Sequence, residues 1–151
     1  MTNQQVADDI RHHFGEAIIS ISEPYGMLEL EVDAEKAHQL LQYLKDHVEF
    51  QFIFLTDLCG LHYPDNKNKE LGVVYHLHSW VNNFRLRIKT FFPAEMPVIP
   101  TATDLWKTAN WMERETYDFF GIIFTGHPNL KRILNMDDMD YFPLRKEYPL
   151  E

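Results

Sequence analysis

With 151 residues, the chain is long enough for one domain, which would bury roughly 70% of its unfolded surface. Its content of 45% hydrophobic and 14% aromatic residues predicts a packed core and argues against disorder except at the ends. The formal net charge of −9 argues against nucleic acid as the main partner and against docking on anionic lipid, since both require clustered Lys and Arg.

The single cysteine, Cys59, can form no internal disulfide and cannot hold an iron–sulfur cluster, which usually takes four thiolates. A reducing compartment is therefore expected. The polar N-terminus lacks the pattern of a signal peptide, and no run approaches the ~18 apolar residues of a membrane span. We expect a soluble, cytoplasmic chain that other proteins hold at any membrane where it works.

The N-terminal part of the chain predicts a helix followed by a hairpin. Apolar residues at helical spacing predict the helix over residues 3–14. Residues 17–22 and 27–32 predict two strands around the turn 23–26, and the second strand alternates strictly between apolar and other residues. That alternation is typical of a half-buried strand.

A second helix and a third strand follow. Asp33 is expected to cap a helix from residue 34 to about residue 47, whose buried stripe extends to Val48. Residues 50–56 predict a strand, because aromatic and β-branched side chains dominate them. Residues 57–71 predict a loop, since turn formers fill their second half.

Two further strands are predicted over residues 72–80 and 84–92. Asn82 and Asn83 between them suit a tight hairpin, because Asn tolerates positive φ. Residues 93–100 contain three prolines and are expected to be irregular.

Residues 105–120 predict a third helix, with one mostly apolar stripe. Thr101 or Thr103 is a candidate cap for its start. Gly121 ends it, because glycine tolerates the left-handed conformation of a C-terminal cap.

Charged and hydroxyl groups along this third helix predict local pairs. Arg114 and Asp118 lie four residues apart and are expected to pair on the exposed side, as are Glu113 and Tyr117 through a hydrogen bond. The carboxylates at 113, 115 and 118 suggest acid–base catalysis, but salt bridging is the preferred interpretation because Arg114, Lys131 and Arg132 are available.

The order of elements predicts an α+β fold, with helices packed on one face of a mainly antiparallel sheet and an extended C-terminal tail. We assign residues 1–134 to one α+β domain. Residues 135–151 hold many charges, two prolines and little periodicity, so they are expected to form a partner-binding tail.

Three further patterns bear on chemistry. His76 and His78 lie on one side of a strand and suggest a metal site, but a third ligand at suitable spacing is missing. The preferred interpretation is a sheet face of mixed polarity. Arg85, Arg87 and Lys89 form a basic row, which is either a solvated face or a contact for another subunit. Cys59 has no evident catalytic neighbours, and phosphate-binding glycine motifs are absent.

Two blocks near the C-terminal end carry a family resemblance. The first is Glu-Arg-Glu-x-Tyr-Asp-x-x-Gly-Ile at 113–122, followed by Gly-His-Pro-x-Leu-x-Arg-Ile-Leu at 126–134. The second is Pro-Leu-Arg-Lys-x-Tyr-Pro at 143–149. Together they resemble the signature of the 30 kDa subunit of respiratory complex I, the bacterial proton-pumping NADH:quinone oxidoreductase. The sequence departs from the family at 139–142, where Trp-Glu-Gly-His is common.

The resemblance implies a non-catalytic structural subunit of the peripheral arm. Such a subunit braces the subunits that form the quinone site and hold the terminal iron–sulfur cluster, and so supports NADH-to-quinone electron transfer coupled to proton translocation. NADH, flavin, iron–sulfur clusters and quinone would bind in those partners, and none in this chain. The chain would lie on the cytoplasmic side of the plasma membrane and touch the membrane only through its partners.

The resemblance assigns interface roles, and no catalytic or metal-binding roles, to residues of the two blocks. These residues are Glu113, Arg114, Glu115, Tyr117, Asp118, Gly121, His127, Pro128, Arg132, Pro143, Leu144, Arg145, Lys146, Tyr148 and Pro149. Two alternatives stay open. One is a member of the same family in a membrane-bound hydrogenase-type or ferredoxin-dependent complex. The other is a free-standing metal-dependent enzyme that uses His76 and His78.

Overall fold

The structure, a computed structural model, describes residues 1–132, 142 and 145. These residues form three α-helices and seven strands, with short 3₁₀ turns at Gly15–Ala17 and Pro24–Gly26. In chain order the elements are α1 (Asn3–Phe14), β1 (Ile18–Ser22), β2 (Leu28–Val32), α2 (Ala34–Asp46), β3 (Phe54–His62), β4 (Leu71–Ser79), β5 (Phe84–Phe92), β6 (Val98–Pro100), α3 (Ala109–Phe120) and β7 (Ile123–Thr125).

Five of the strands form one sheet in the order β1-β2-β5-β4-β3, and β6 and β7 form a separate parallel pair. β1 and β2 are the predicted antiparallel hairpin. β2 and β5 run parallel, with Glu29 opposite Arg87 and Glu31 opposite Lys89. The α+β class with a mainly antiparallel sheet is therefore confirmed, with one parallel pair inside the sheet.

The chain divides into two compact units. Unit 1 comprises residues 1–57 and 75–90, and unit 2 comprises residues 58–74 and 91–151. The divisions fall inside β3, β4 and β5, so each of these strands contributes residues to both units. The predicted division after residue 134 falls outside the described residues, so the separate tail over 135–151 stays a prediction.

Unit 1 owes its helices to caps and apolar stripes. Thr2 and Gln5 form a capping box at the start of α1, and the Asp33 side chain caps α2 as predicted. The prediction for Val48 is wrong, because α2 ends at Asp46 and the backbone turns extended at residue 47. Val48 leaves the helical stripe and is 85% exposed.

The predicted bounds of β3 are wrong at both ends. The backbone of Gln51 has φ 50°, a left-handed conformation that interrupts an extended strand, so β3 starts at Phe54 and not at residue 50. The strand then continues to His62 through the first part of the predicted loop, because β4 pairs beside it. Only residues 63–70 connect the two strands.

Two predictions near the third helix also need correction. The three residues of β6 are extended and paired with β7, so the proline-rich segment is not irregular throughout. Turns and irregular backbone occupy residues 102–108, and α3 starts at Ala109 without a side-chain cap from Thr108. Thr101 and Thr103 do not cap the helix, since their hydroxyl oxygens lie 2.9 Å apart and bond to each other.

In the part of the chain that the structure describes, no helix is both long and apolar enough to cross a bilayer.

Candidate functional site

The C-terminal end of α3 brings together several residues of the first sequence block. Gly121 takes φ 77° and ends the helix as predicted, with its N–H bonded to the carbonyl oxygen of Tyr117. Asp118, on the last turn, is fully buried, and its Oδ1 lies 3.6 Å from Nη1 of Arg132. The side chain of Arg132 is only 3% exposed, so this is a buried ion pair.

Phe142 and Arg145 pack on the same helix end. The guanidinium groups of Arg132 and Arg145 lie 4.6 and 5.3 Å from the centre of the Phe142 ring. We call these three side chains the Arg–Phe–Arg stack. Nε of Arg145 donates to the carbonyl oxygen of Phe120 at 2.6 Å, one of the acceptors that a helix end leaves unpaired.

Gly121 makes room for the Arg–Phe–Arg stack. A Cβ atom at this position would lie 2.7 Å from the Phe142 ring and 2.9 Å from the guanidinium of Arg145. The ring of Tyr117 also contacts Phe142, with the two ring centres 6.0 Å apart. Residues of both sequence blocks therefore contact one another in unit 2.

Glu113 forms a second buried polar site in unit 2. Its carboxyl group is inaccessible to solvent and accepts hydrogen bonds from the Thr101 hydroxyl at 2.5 Å and the Ala102 N–H at 2.7 Å. Burial raises the pKa of Glu113 to about 7, against the opposing effect of these two hydrogen bonds. The carboxyl group thus fixes the turn at 101–102 against α3.

The remaining described residues of the first block lie around the start and the outer side of α3. Nε2 of His127 donates to the Asn110 carbonyl oxygen at 3.0 Å, while Nδ1 accepts from the Asn129 N–H at 2.9 Å. Pro128 is exposed. Arg114 lies over the exposed Trp111 ring, 4.8 Å from its centre, and Glu115 is exposed.

The predicted pairs along α3 are wrong. Asp118 turns inward to Arg132, and Arg114 donates from Nε to the Lys131 carbonyl oxygen at 3.3 Å. Glu113 is bonded to the segment before the helix and not to Tyr117. Both errors have one cause, because sequence spacing shows which residues can meet on a helix but not which helical face a distant segment covers.

The structure therefore sorts the predicted interface residues into three sets. Tyr117, Asp118, Gly121, Arg132 and Arg145 meet at the end of α3, whereas Glu113, Arg114, Glu115, His127 and Pro128 lie elsewhere in unit 2. Pro143, Leu144, Lys146, Tyr148 and Pro149 lie outside the described residues.

Sequence reasoning misses two partners. It predicts Thr101 only as a helix cap, and it singles out Phe142 only as part of the departure from the family pattern. A signal for Thr101 exists in its neighbours, since Thr-Ala-Thr-Asp before a helix offers hydroxyl and N–H donors to any buried carboxylate. No local signal places Phe142 on α3.

The two histidines of β4 have other contacts. Nε2 of His76 accepts from Nε of Arg87 at 3.0 Å, and the His78 ring packs 6.1 Å from that of Trp80. Burial and then Arg87 lower the pKa of His76. Among the described residues, no group of three or more His, Cys, Asp or Glu side chains is arranged to hold a metal ion.

Two cations of the basic row of β5 share one carboxylate. Arg87 and Lys89 lie 3.1 and 3.2 Å from the carboxylate oxygens of Glu29. Burial alone would raise the pKa of Glu29, but hydrogen bonds and charge from the two cations hold it below its ordinary value. Arg87 and Lys89 therefore pair with Glu29 across β2 and β5, and Arg85 is the exposed member of the row.

Fold and site together define an α+β protein in which half of the described motif residues meet at the end of α3. The family model for the respiratory-chain NADH dehydrogenase 30 kDa subunit matches residues 30–151. The chain therefore belongs to that family.

Two bacterial relatives agree with this assignment. The NADH-quinone oxidoreductase C 2 subunit of Rhizobium meliloti (strain 1021) is 42% identical over 138 residues, which cover 91% of this chain and 74% of that protein. The corresponding NADH-quinone oxidoreductase protein of Roseiflexus sp. (strain RS-1) is 41% identical over 150 residues, covering 99% of this chain and 86% of that protein.

Two solved structures share the fold. A trypsin-resistant fragment (1–134) of Nqo5 superposes with a TM-score of 0.73 and 34% identity, covering 86% of this chain and all of that fragment. A chain of the membrane-bound sulfane sulfur reductase, an archaeal respiratory membrane complex, superposes with a TM-score of 0.80 over 97% of this chain and 85% of that chain. At 24% identity the second structure shows the fold alone.

Proposed function

We propose that this chain is a structural, non-catalytic subunit of the peripheral arm of an NADH:quinone oxidoreductase. In this role it braces the subunits that form the quinone site and hold the terminal iron–sulfur cluster. Electron transfer and proton translocation take place in those partners, which bind NADH, flavin, the clusters and quinone. The chain lies on the cytoplasmic side of the membrane and is held there by the same partners.

The observation that carries the proposal is how the motif residues use their polar groups. Asp118 and Arg132 pair with each other, Glu113 binds a hydroxyl and an N–H group, and Arg145 binds a helix carbonyl. Groups engaged in this way stabilise a shape and are poorly placed for acid–base chemistry on a substrate. The names of the relatives supply the complex in which such a shape would serve.

The experiment is an affinity purification of the tagged full-length chain from membranes of the producing organism in mild detergent. Co-purified proteins are identified by mass spectrometry, and the eluate is assayed for NADH–quinone activity. We expect iron–sulfur and quinone-site subunits together with that activity. The untagged strain, taken through the same purification, is the control.

Two outcomes would contradict the proposal. Iron–sulfur partners with hydrogenase or ferredoxin activity, and without NADH–quinone activity, would place the chain in a sister complex. Purification of the chain without partners would contradict the structural role. Metal analysis of the purified chain would then test the alternative that uses His76 and His78.

A further inference from the structure

The outer side of α3 carries an exposed aromatic and a cation in contact. Trp111 is 58% exposed, and the guanidinium carbon of Arg114 lies 4.8 Å from the centre of its ring. Tryptophan and arginine are among the residue types most enriched in the few positions that dominate binding energy at protein interfaces. This pair belongs to neither the Glu113 site nor the Arg–Phe–Arg stack.

Arg114 is held in one orientation. Its Nε donates to the Lys131 carbonyl oxygen at 3.3 Å, and its guanidinium carbon lies over the Trp111 ring. Among the described residues, no carboxylate pairs with Arg114, so its terminal nitrogens keep their donors for another acceptor. A planar guanidinium fixed in this way matches the two oxygens of a carboxylate, and pre-ordering lowers the entropy cost of binding.

The local charge favours an acidic partner. Lys131, whose carbonyl oxygen accepts from Arg114, is exposed, while Glu115 is the one carboxylate in the first two turns beyond Trp111 that faces solvent. The chain has a net charge of −9, yet the charged group in contact with the exposed tryptophan is a cation, Arg114. Opposite charge across an interface fixes register and speeds association.

We propose that Trp111 and Arg114 form a docking site for an acidic segment of a neighbouring subunit, with an Asp or Glu carboxylate bound by the terminal nitrogens of Arg114 beside the indole ring. The site rests on the proposed function, because that function supplies the neighbouring subunit. It differs from the predicted role of Arg114, since the partner's chemistry is now specified as a carboxylate next to an aromatic platform.

The test uses the tagged full-length chain in its native membranes, with the variants Arg114→Gln and Arg114→Lys. Lys107→Gln is the matched control, because it removes one positive charge from an exposed residue before α3, outside the contact of Trp111 with Arg114, and leaves the guanidinium in place. We expect Arg114→Gln to reduce the retained partner subunits by roughly tenfold at moderate salt, and Lys107→Gln to leave them unchanged. Thermal melts of the isolated variants check that each is folded.

Arg114→Lys gives a second, independent measurement. Treatment of the solubilised complex with a water-soluble carbodiimide activates carboxyl groups, and the new amine can then form an amide with a carboxylate that it contacts. We expect mass spectrometry to find a cross-link from position 114 to an Asp or Glu of another subunit. This variant keeps the positive charge, so it also reports on the site if Arg114→Gln fails to fold.

The outcomes separate this inference from the proposed function. If the wild-type chain captures no subunits, the proposed function fails. If the wild type captures them and Arg114→Gln captures as many, or Lys107→Gln loses as many, the docking site is wrong. A cross-link to a second copy of this chain, or no cross-link at all, would also overturn it.

Discussion

At the scale of single residues, Glu113 makes the stability of unit 2 depend on pH. Its pKa of about 7 in the folded chain lies above the ordinary value of 4.5, so the folded state binds the proton more tightly than the unfolded state does. The stabilisation by the protonated carboxyl group is therefore greatest below pH 4.5 and is lost as the pH rises through about 7. The loss is on the order of 3 kcal/mol at most.

The test is Glu113→Gln, which keeps an acceptor for the Ala102 N–H and offers a donor to the Thr101 hydroxyl oxygen. We expect urea midpoints of the wild type to fall between pH 5 and pH 7 more steeply than those of the variant. Glu115→Gln, an exposed change on the same helix, is the control and should follow the wild type. Parallel curves for the wild type and Glu113→Gln would contradict the raised pKa of Glu113.

The ion pair between Asp118 and Arg132 leads to a second prediction. Replacing Asp118 by Asn removes a buried negative charge that faces the Arg132 guanidinium, which cannot lose its proton. We expect the free energy of unfolding to fall by about 3 kcal/mol or more. Chemical denaturation measures it, and a loss below about 1 kcal/mol, within the range of an exposed pair, would contradict the buried pair.

Single residues also show where sequence reasoning reaches its limit. The prediction for Gly121 is confirmed, because the requirement for a left-handed cap is local to the end of a helix. Spacing assigns Glu113 to a salt bridge, whereas its partners are a hydroxyl and an N–H from a segment eleven or twelve residues earlier. The burial that raises its pKa depends on how that segment folds back, which no spacing along α3 encodes.

At the scale of elements, the end of α3 combines backbone strain with close packing. Gly121→Ala would place a methyl group in a left-handed conformation and within 2.7 Å of the Phe142 ring. Gly126→Ala is a matched control, since its φ is 82° but the nearest atom would lie 3.4 Å away on Thr101. We expect Gly126→Ala to cost about 1 kcal/mol and Gly121→Ala about 2–3 kcal/mol, measured by urea unfolding.

The difference between the two glycine variants isolates the packing of the Arg–Phe–Arg stack. Equal losses would mean that Phe142 and Arg145 move away from the helix end at no cost, and that the stack contributes nothing to stability.

Elements with strong local signals are predicted well. The apolar stripe of α2 and its Asp33 cap predict that helix to within one residue at its C-terminal end. β3 is misplaced because Gln51 adopts a left-handed backbone that its side chain does not favour. The pairing of β6 with β7 is not predicted for a different reason. Parallel strands need a long connection, so the paired segments are distant in sequence.

At the scale of the whole molecule, the C-terminal segment is predicted to matter for assembly more than for folding. We expect a chain truncated after residue 134 to fold, because the buried apolar residues of both units precede that point among the described residues. Of the described contacts, it would lose those of Phe142 and Arg145 with Arg132 and the end of α3, at a cost of about 1–3 kcal/mol. We expect it to fail in assembly.

Circular dichroism and a thermal melt measure folding of the truncated chain, and the affinity purification measures assembly. Assembly at the full wild-type level would contradict the predicted partner-binding role of residues 135–151. An unfolded truncated chain would instead place residues 135–151 within the folding domain, against the predicted boundary.

The fold class is predictable from the order of helical and alternating segments, but the sheet order is not. The hairpins follow from short connections, as between β1 and β2. The parallel pairing of β2 with β5 places Leu28 opposite Leu86, two residues that are distant in sequence. Long-range pairing of this kind leaves no pattern within either strand.

The three tryptophans give the chain a built-in optical signal. Trp106 is buried, whereas Trp80 and Trp111 are 72% and 58% exposed. Indole emission shifts to shorter wavelengths when water is excluded, so heating should shift the signal of Trp106 to the red, while docking beside Arg114 should shift that of Trp111 to the blue. A Trp80→Phe variant would remove most of the constant background. Binding and unfolding could then be followed on the same unlabelled sample, through changes of opposite sign.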